Sequence, residues 1–385
     1  MDLLFIIKTP PHWRVPQLIL APIQSELVIK MNKTIRRAQE FLRNITKDDR
    51  ICLIHDTDAD GICSAVIIAK CIERLRGKKI NLHLSVEKEQ YGITKRMIKQ
   101  MNKHRINKLI ALDFSTDQNL PLLKKLEKQT HILNIDHHKL YNNYQSDKTI
   151  IYKPQLFTKI DPSTYCTAKL AYDLAGTVTD VNDLDWMAAT ASISDIATKP
   201  WKKWLNKVCK KYKSPIKKDL FQTELGQIGA TIKSTEVYDI NLISKCYDIF
   251  YRTKKPADVR KSELSKYKEI IDNELKKHIM LFKKKAKKQG DMQVYEMASK
   301  YRIHSPLSTI LGVKYPHKTI IIINKINKIT AVSARRGDRK KAVNTLLENA
   351  IKGFKGANAG GHIPAAAAGF HRKYLKTFKE RIWKT

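Results

Sequence analysis

The chain has 385 residues, 42% of them apolar, and a formal charge of +36 from 73 Lys and Arg against 37 Asp and Glu. That length buries a large core and predicts at least two domains, while the charge excess goes beyond what solubility needs and points to a polyanionic partner. The six cysteines are scattered without a CxxC pair, which argues against a zinc knuckle or a disulfide scaffold and predicts a reducing compartment, the cytoplasm.

In chain order, LLFIIK at 3–8 is too short to cross a membrane, and it lacks the long apolar run of a signal peptide. No membrane partner is expected. Residues 1–30 read as an N-terminal extension or an extra edge strand, with the working chain starting near Met31, where NKTIRRAQEFLRNI has an amphipathic helical pattern. ICLIH (51–55) is a buried strand, DTDADG a strand-to-helix turn, and SAVIIAKCIERLRG (64–77) a helix stopped by Gly. KKINLHLSV, NKLIALDFS and THILNIDHHKL read as further strands, separated by the helical patterns TKRMIKQMNKH and PLLKKLEKQ. This alternation predicts an α/β domain built on a mostly parallel sheet. In DPSTYCTAKLAYDLAG (161–176), Ser163 or Thr164 is placed to cap the next helix. WKKWLNKVCKKYKSPIKKDL (201–220) is either a basic stacking surface or a solvated helix with its Trp residues turned inward. ELSKYKEIIDNELKKHIMLFKKKAKKQG (263–290) reads as one connector helix. MQVYEMA and HKTIIIINKINKITAVSAR then read as strands, RKKAVNTLLENAIKGF as a helix, and GANAGGHIPAAAAGF (356–370) as a loop with a helix packed behind its alanines. The expected domains are 31–255, a connector at 256–290, and a smaller mixed α/β domain at 291–385.

Ligands gather at the carboxyl ends of strands in such sheets, and the acids sit there. Asp56 and Asp58 follow one predicted strand, Asp113 follows a second, and Asp136, His137 and His138 follow a third. A lone Asp is a turn or helix cap. Converging carboxylates repel unless a cation lies between them, and carboxylates with imidazole suit Mn²⁺ or Mg²⁺. Cys52 reads as a core residue within its strand, and His55 either touches the metal site or fills the turn.

DTDADG, ALDFS, IDHHK and AATASISDIATK occur in this order. The set resembles the four motifs of the DHH phosphoesterase superfamily, specifically RecJ-like exonucleases of archaeal type with a DHH-associated C-terminal domain. The resemblance covers residues 31–385. It implies two divalent cations held by Asp56, Asp58, His137 and Asp195, with Asp113 bridging them. It makes His138 the contact to the scissile phosphate and Asp136 its support, while Asp60 caps or braces the turn beside Gly61. GGH (360–362) resembles the associated domain's substrate-gripping loop, so Gly360, Gly361 and His362 are expected to bind the nucleotide. SAR (333–335) resembles its Ser-x-Arg strand end, with Ser333 and Arg335 at a backbone phosphate. Arg336 either shares that task or faces solvent.

The implied activity is hydrolysis of single-stranded DNA or RNA from the 5′ end, releasing nucleoside monophosphates, with Asp113, His138 and Arg335 carrying the chemistry. Replication or repair proteins are further expected partners. Besides other phosphoester chemistry such as pyrophosphate hydrolysis, which the GGH loop disfavours, two other readings compete. One is a phosphodiesterase for oligoribonucleotides or cyclic dinucleotides, which the +36 charge disfavours. The other is a non-catalytic replication scaffold, which has no need to keep the acids.

Overall fold

A computed structural model describes residues 22–87 and 92–384. Helix α1 (Pro22–Arg43) comes first. It starts ahead of Met31, so the expected boundary at residue 30 falls inside a helix. LLFIIK lies outside the described residues.

β1 (Ile51–His55), α2 (Ala59–Arg76), β2 (Leu82–Ser85), α3 (Lys95–Lys103), β3 (Lys108–Leu112), α4 (Leu120–Leu126), β4 (His131–Ile135) and β5 (Thr149–Tyr152) form the first layer structure. The sheet order is β2-β1-β3-β4-β5, and every pairing is parallel. A sheet covered on both faces needs strands that are apolar on both sides. Accordingly Leu53, Ile110 and Leu133 enter a core with α1 and α2, while Cys52, Leu109 and Ile132 enter a second core with Met97 of α3 and Leu123 of α4. Cys52 is thus a packing residue. The strand order reverses direction between β1 and β3, and that switch point is where the carboxyl ends splay apart to leave a crevice.

The helices α5 (Thr167–Gly176), α6 (Asp185–Ser194), α7 (Lys202–Lys211), α8 (Glu224–Tyr238), α9 (Ile243–Arg252), α10 (Pro256–Arg260) and α11 (Leu264–Lys285) follow. The tryptophans of the basic segment turn inward. Trp201 donates its indole N–H to the Thr164 carbonyl at 2.8 Å and packs on Tyr165. The Lys169 ammonium stands 4.4 Å from the Trp201 ring centre and 4.7 Å from that of Trp204. The rings are occupied by this chain's own cation, so the inward-packing alternative holds.

Helix α11 ends at Lys285, short of the expected residue 290. Gly290, at φ +57°, turns the chain so that β6 (Lys287–Gln289) pairs antiparallel with β7 (Met292–Met297). Then come α12 (His304–Lys314), β8 (Thr319–Ile326), β9 (Ile329–Arg335), α13 (Val343–Ile351), β10 (Asn358–His362), β11 (Ala365–His371) and α14 (Leu375–Trp383). The second sheet runs β10-β11-β9-β8-β7-β6 and is mixed: β7 and β8 pair parallel, the other neighbours antiparallel. GANAGGHIPAAAAGF is therefore a hairpin rather than a loop, and α13 packs behind its alanines. Its alanines alternate along β11: Ala366 and Ala368 enter the core, while Ala367 is exposed. Val237 of α8 and Phe282 of α11 share one apolar cluster with Tyr295, Leu307 and Ile320, which joins the two sheets' layers.

Gly61 decides how α2 leaves β1. A Cβ there would lie 2.3 Å from the Asp56 carbonyl oxygen. Gly61→Ala should cost roughly 1–3 kcal/mol through overpacking, seen as a lower urea midpoint. Wild-type stability in that variant would mean the turn relaxes freely.

Candidate metal centre

Asp56 leaves β1, Asp113 leaves β3, and Asp136, His137 and His138 leave β4, all at the carboxyl edge of the sheet. Asp195 caps the end of α6. Donor atoms of three overlapping groups lie within 4.8 Å of one another: Asp56, Asp58 and Asp113; Asp113, His137 and His138; Asp60, His137 and Asp195. The structure therefore brings together every metal-binding residue expected from the sequence. Asp113 belongs to both of the first two groups.

Local structure aims each of these side chains. Asp58 is the N-cap of α2 and accepts from the backbone N–H groups of Asp60 and Gly61 at 3.0 and 3.1 Å. Asp113 holds a left-handed backbone, φ +67°, and accepts the Thr167 hydroxyl at 3.0 Å. Such a φ is uncommon outside glycine, and Asp is among the residues that tolerate it. His137 Nδ1 donates to the Pro162 carbonyl at 3.2 Å. Its Nε2 consequently faces the acids, 3.5 Å from Asp195, 3.6 Å from Asp113 and 3.8 Å from Asp60.

Asp60 does something other than brace its own turn. Both its oxygens accept backbone N–H groups at the start of α5, from Thr167 and Ala168, each at 2.7 Å. It caps that helix from across the fold, and neither Ser163 nor Thr164 does. His55 donates Nδ1–H to the Asp56 carbonyl at 2.7 Å and stacks on Tyr247. It fills the turn and joins none of the three donor groups.

Behind the site lies a residue that the sequence pattern did not single out. The Lys153 ammonium is fully buried, 2.8 Å from both Asp117 and Asp136, and donates to the Ser115 hydroxyl at 3.1 Å and the Lys139 carbonyl at 2.8 Å. Asp136 in turn accepts from His138 Nδ1 at 2.7 Å. Burial alone would raise the Asp136 carboxyl, but the His138 hydrogen bond and the Lys153 charge hold it well below the usual range. Burial alone would lower His138, but its Asp136 partner pushes it up to about 9. The signal for Lys153 was its place: a lysine ending the apolar run TIIY, as the acids end theirs. Glu236 was also missed. It lies buried on α8 and accepts from Thr57, whose N–H binds Asp56 at 2.6 Å.

In the second domain Ser333 is fully buried and shares a hydrogen bond with Ser308 at 2.8 Å. Arg335 is held by the Ser333 hydroxyl at 3.2 Å and the Ala334 carbonyl at 2.9 Å. Ser333 is thus placed to orient Arg335 rather than to meet a ligand itself. Arg336 neither shares that task nor faces solvent: it is buried against Asp291 and Asp338, each at 2.6 Å. Gly361, at φ +138°, has no room for a Cβ, which would lie 2.4 Å from the Ala365 carbonyl. Gly360 and His362 are exposed beside it.

The donor set fits a hard to intermediate divalent cation, since it consists of carboxylates and imidazole without thiolate. Burial and neighbouring carboxylates raise Asp56 and Asp195 to about 7 and push Asp60 and Asp113 up as well. A cation between them would relieve that repulsion.

Residues 50–198 match the model of the DHH family, N-terminal domain. Those residues therefore carry the likeness to the DHH family. Its motif set is that of a metal-dependent phosphoesterase. No curated protein matches the sequence. Among solved structures the fold is similar to the DHH domain of a member of a ribosomal-protein family, with TM-score 0.68, 16% identity, and 96% of this chain and 93% of that chain covered. It is also similar to an exonuclease RecJ bound to manganese, with TM-score 0.67, 15% identity and coverage of 91% and 93%. A RecJ from Thermus thermophilus in complex with Mn²⁺ aligns with TM-score 0.62 and 16% identity over 95% of this chain and 55% of that one. These likenesses confirm the two-sheet α/β fold.

The electrostatics of the cluster make stability depend on pH. Asp56 and Asp195 have folded-state values raised from 3.8 to about 7. The stability they confer on the metal-free chain is present below 3.8 and is lost as pH rises through about 7. Raised His138 acts in the same direction, losing its contribution as pH climbs from 6.5 through about 9. The rise in Tm on adding Mn²⁺ should therefore be larger at alkaline than at mildly acidic pH. An equal rise at both would remove the cluster as the binding site. Separately, Lys153→Met strands two buried carboxylates and should cost about 3–5 kcal/mol in urea unfolding. A neutral result would show that Asp117 and Asp136 do not need this cation.

Proposed function

We propose that the protein is a divalent-metal-dependent exonuclease acting on single-stranded DNA or RNA, removing nucleoside monophosphates from the 5′ end. The observation that carries this reading is the convergence of the three donor groups around Asp113 and His137. The net charge of +36 supports a polymeric substrate. Direction and product rest on the likeness to RecJ-like exonucleases. A CDC45 from Entamoeba histolytica also shares the fold, with TM-score 0.53 and 10% identity, which agrees with a place beside replication or repair proteins. Among the described residues no helix is long and apolar enough to cross a membrane. All six cysteines are free and buried, as suits a reducing cytoplasm.

Two divalent cations, Mn²⁺ or Mg²⁺, held by Asp56, Asp58, Asp113, His137 and Asp195, would activate water and neutralise charge on the phosphoryl group when bound. The chain's residues supply positioning. Asp58 is fixed by its capping bonds, and Asp113 by Thr167. His138, tied at Nδ1 by Asp136 and half exposed, offers Nε2–H to a phosphoryl oxygen, where charge builds in the transition state. Asp136 and Lys153 keep that imidazole oriented. Arg335, steadied by Ser333, takes a backbone phosphate through its guanidinium. His362 and the amides of Gly360 and Gly361 hold the adjoining nucleotide.

The test uses strands labelled at either end. Wild type with Mn²⁺ should release labelled mononucleotide first from the 5′-labelled strand. Asp113→Asn should reduce kcat by ~10³-fold or more, the scale seen on losing a group that stabilises developing charge. Arg335→Ala should chiefly raise KM. Release from the 3′ end would reverse the direction, and full turnover by Asp113→Asn would reject the two-ion site.

A further inference from the structure

A cavity of about 480 Å³ lies between α8 and the second domain, lined by none of the metal-binding or phosphate-binding residues named above. Its cationic lining comes from Lys233 of α8, Arg302 and His304, with Ser305 and Asn327 adding polar groups. None of its lining residues is acidic. Val237, Pro306, Ile326 and Ile329 give it an apolar wall. The volume suits a nucleotide-sized ligand, and an apolar wall with a few convergent polar groups is the usual make-up of a ligand site.

Two observations relate this cavity to the chemistry. Lys233 pairs with Glu236 at 2.6 Å. Glu236 accepts from Thr57, which binds Asp56. Lys233 thus links the lining of the cavity to the residues that support Asp56. The second observation is the register of β9. Side chains alternate along a strand, so Ile329 and Ala331, which line the cavity, share a face with Ser333 and Arg335. The neighbouring positions on β11 and β10 across that face are small: Ala367 stands opposite Ser333, Gly369 opposite Ala331, and Gly360 opposite Ala367. Ala367 and Gly360 are exposed. β9 thus spans the distance from Arg335 to the cavity lining, about 20 Å along six strand residues, with α12 packed over Ser333.

Arg302 has no carboxylate partner among the described residues and is exposed to solvent. Lys233 is 48% exposed at its side chain despite its pairing. A chain with this many cations can leave some unpaired anywhere. Here they converge on a concave site with an apolar wall.

We propose that this cavity is a second nucleotide subsite. It would take a backbone phosphate on Arg302, Lys233 and His304 and lay the adjoining base on Ile329 and Val237, several nucleotides along the strand from the end held by Arg335. The proposal rests on the exonuclease reading and extends it, because it explains selection of polymer over dinucleotide. A base on an apolar wall contributes affinity without sequence preference, as in other single-strand binders.

Binding in EDTA tests the subsite without hydrolysis. Fluorescent oligothymidylates, a dinucleotide and a strand of about 12 nucleotides, are titrated against wild type, Arg302→Ala, His304→Ala and the double variant. Thermal unfolding checks that each variant folds. Wild type should bind the long strand well above the dinucleotide. The double variant should lose ~10-fold or more of the long-strand affinity, keep its dinucleotide affinity, and show a salt slope shallower by about 0.7 for each phosphate it no longer neutralises. Lys233→Arg, which keeps the charge, should retain most of the length dependence. Unchanged long-strand affinity in the folded double variant overturns the subsite while leaving the exonuclease reading in place. Equal wild-type affinity for dinucleotide and long strand also overturns it. If wild type then cleaves the dinucleotide as fast as the long strand, the exonuclease reading fails on its own evidence.

Discussion

Like charges held together at the carboxyl edge of a parallel sheet set the terms for the rest of this molecule. Asp60, Asp113 and Asp195 crowd around the His137 imidazole, and Asp56 and Asp58 join Asp113 in a further group, the donor atoms of each group lying within 4.8 Å. Such a cluster would fly apart or neutralise itself unless each member were tied down. The fold holds several of them individually. Asp58 caps α2 and Asp60 caps α5, and Asp113 is fixed by a left-handed turn and a threonine hydroxyl. Capping also places the positive ends of α2 and α5 beside the acids, which lowers the cost of their charge.

A second layer beneath the cluster has the opposite logic. Lys153 is buried without access to water, yet it has two carboxylates, a hydroxyl and a carbonyl around it. A buried ion pair is a weak source of net stability, because desolvation offsets most of the attraction. Its value here is geometric. Lys153 holds Asp136, Asp136 holds His138 Nδ1, and the imidazole can present only Nε2 outward. Orientation is passed from a strand end to the solvent-facing ring through two charge-assisted contacts.

The two domains divide the work according to sheet type. The parallel sheet offers a crevice at its switch point, where chemistry collects. The mixed sheet offers the β10–β11 hairpin, where Gly360 and Ala367 are exposed. Both are built into one body through the apolar cluster of Val237, Phe282, Leu307 and Ile320. The burial of Arg336 against Asp291 and Asp338 shows how selectively the fold uses its cations, since its neighbour Arg335 remains available.

Much of this was legible in the sequence. Strand and helix periods marked the first domain, and charge placed at the ends of apolar runs marked Asp56, Asp113, Asp136 and His137. These signals are local, because a buried strand must be apolar and its end must not be. The hairpin at 358–371 was misread as a loop, because four alanines carry almost no alternation between faces and only sheet pairing reveals which are buried. The helix ending at Lys285 was overrun for a related reason: a run of lysines does not show where β pairing begins. Partnerships across the fold stayed invisible. Asp60 capping α5, Lys153 beneath Asp136, and Lys233 lining one cavity with Arg302 join residues far apart in the chain, and no pattern within a window encodes such a meeting. The sequence by itself determined which side chains could carry the chemistry, through their types and their positions at element ends. Only the tertiary structure decided which of them support others and which face a ligand, because burial and hydrogen-bond partners exist only once distant segments are packed together.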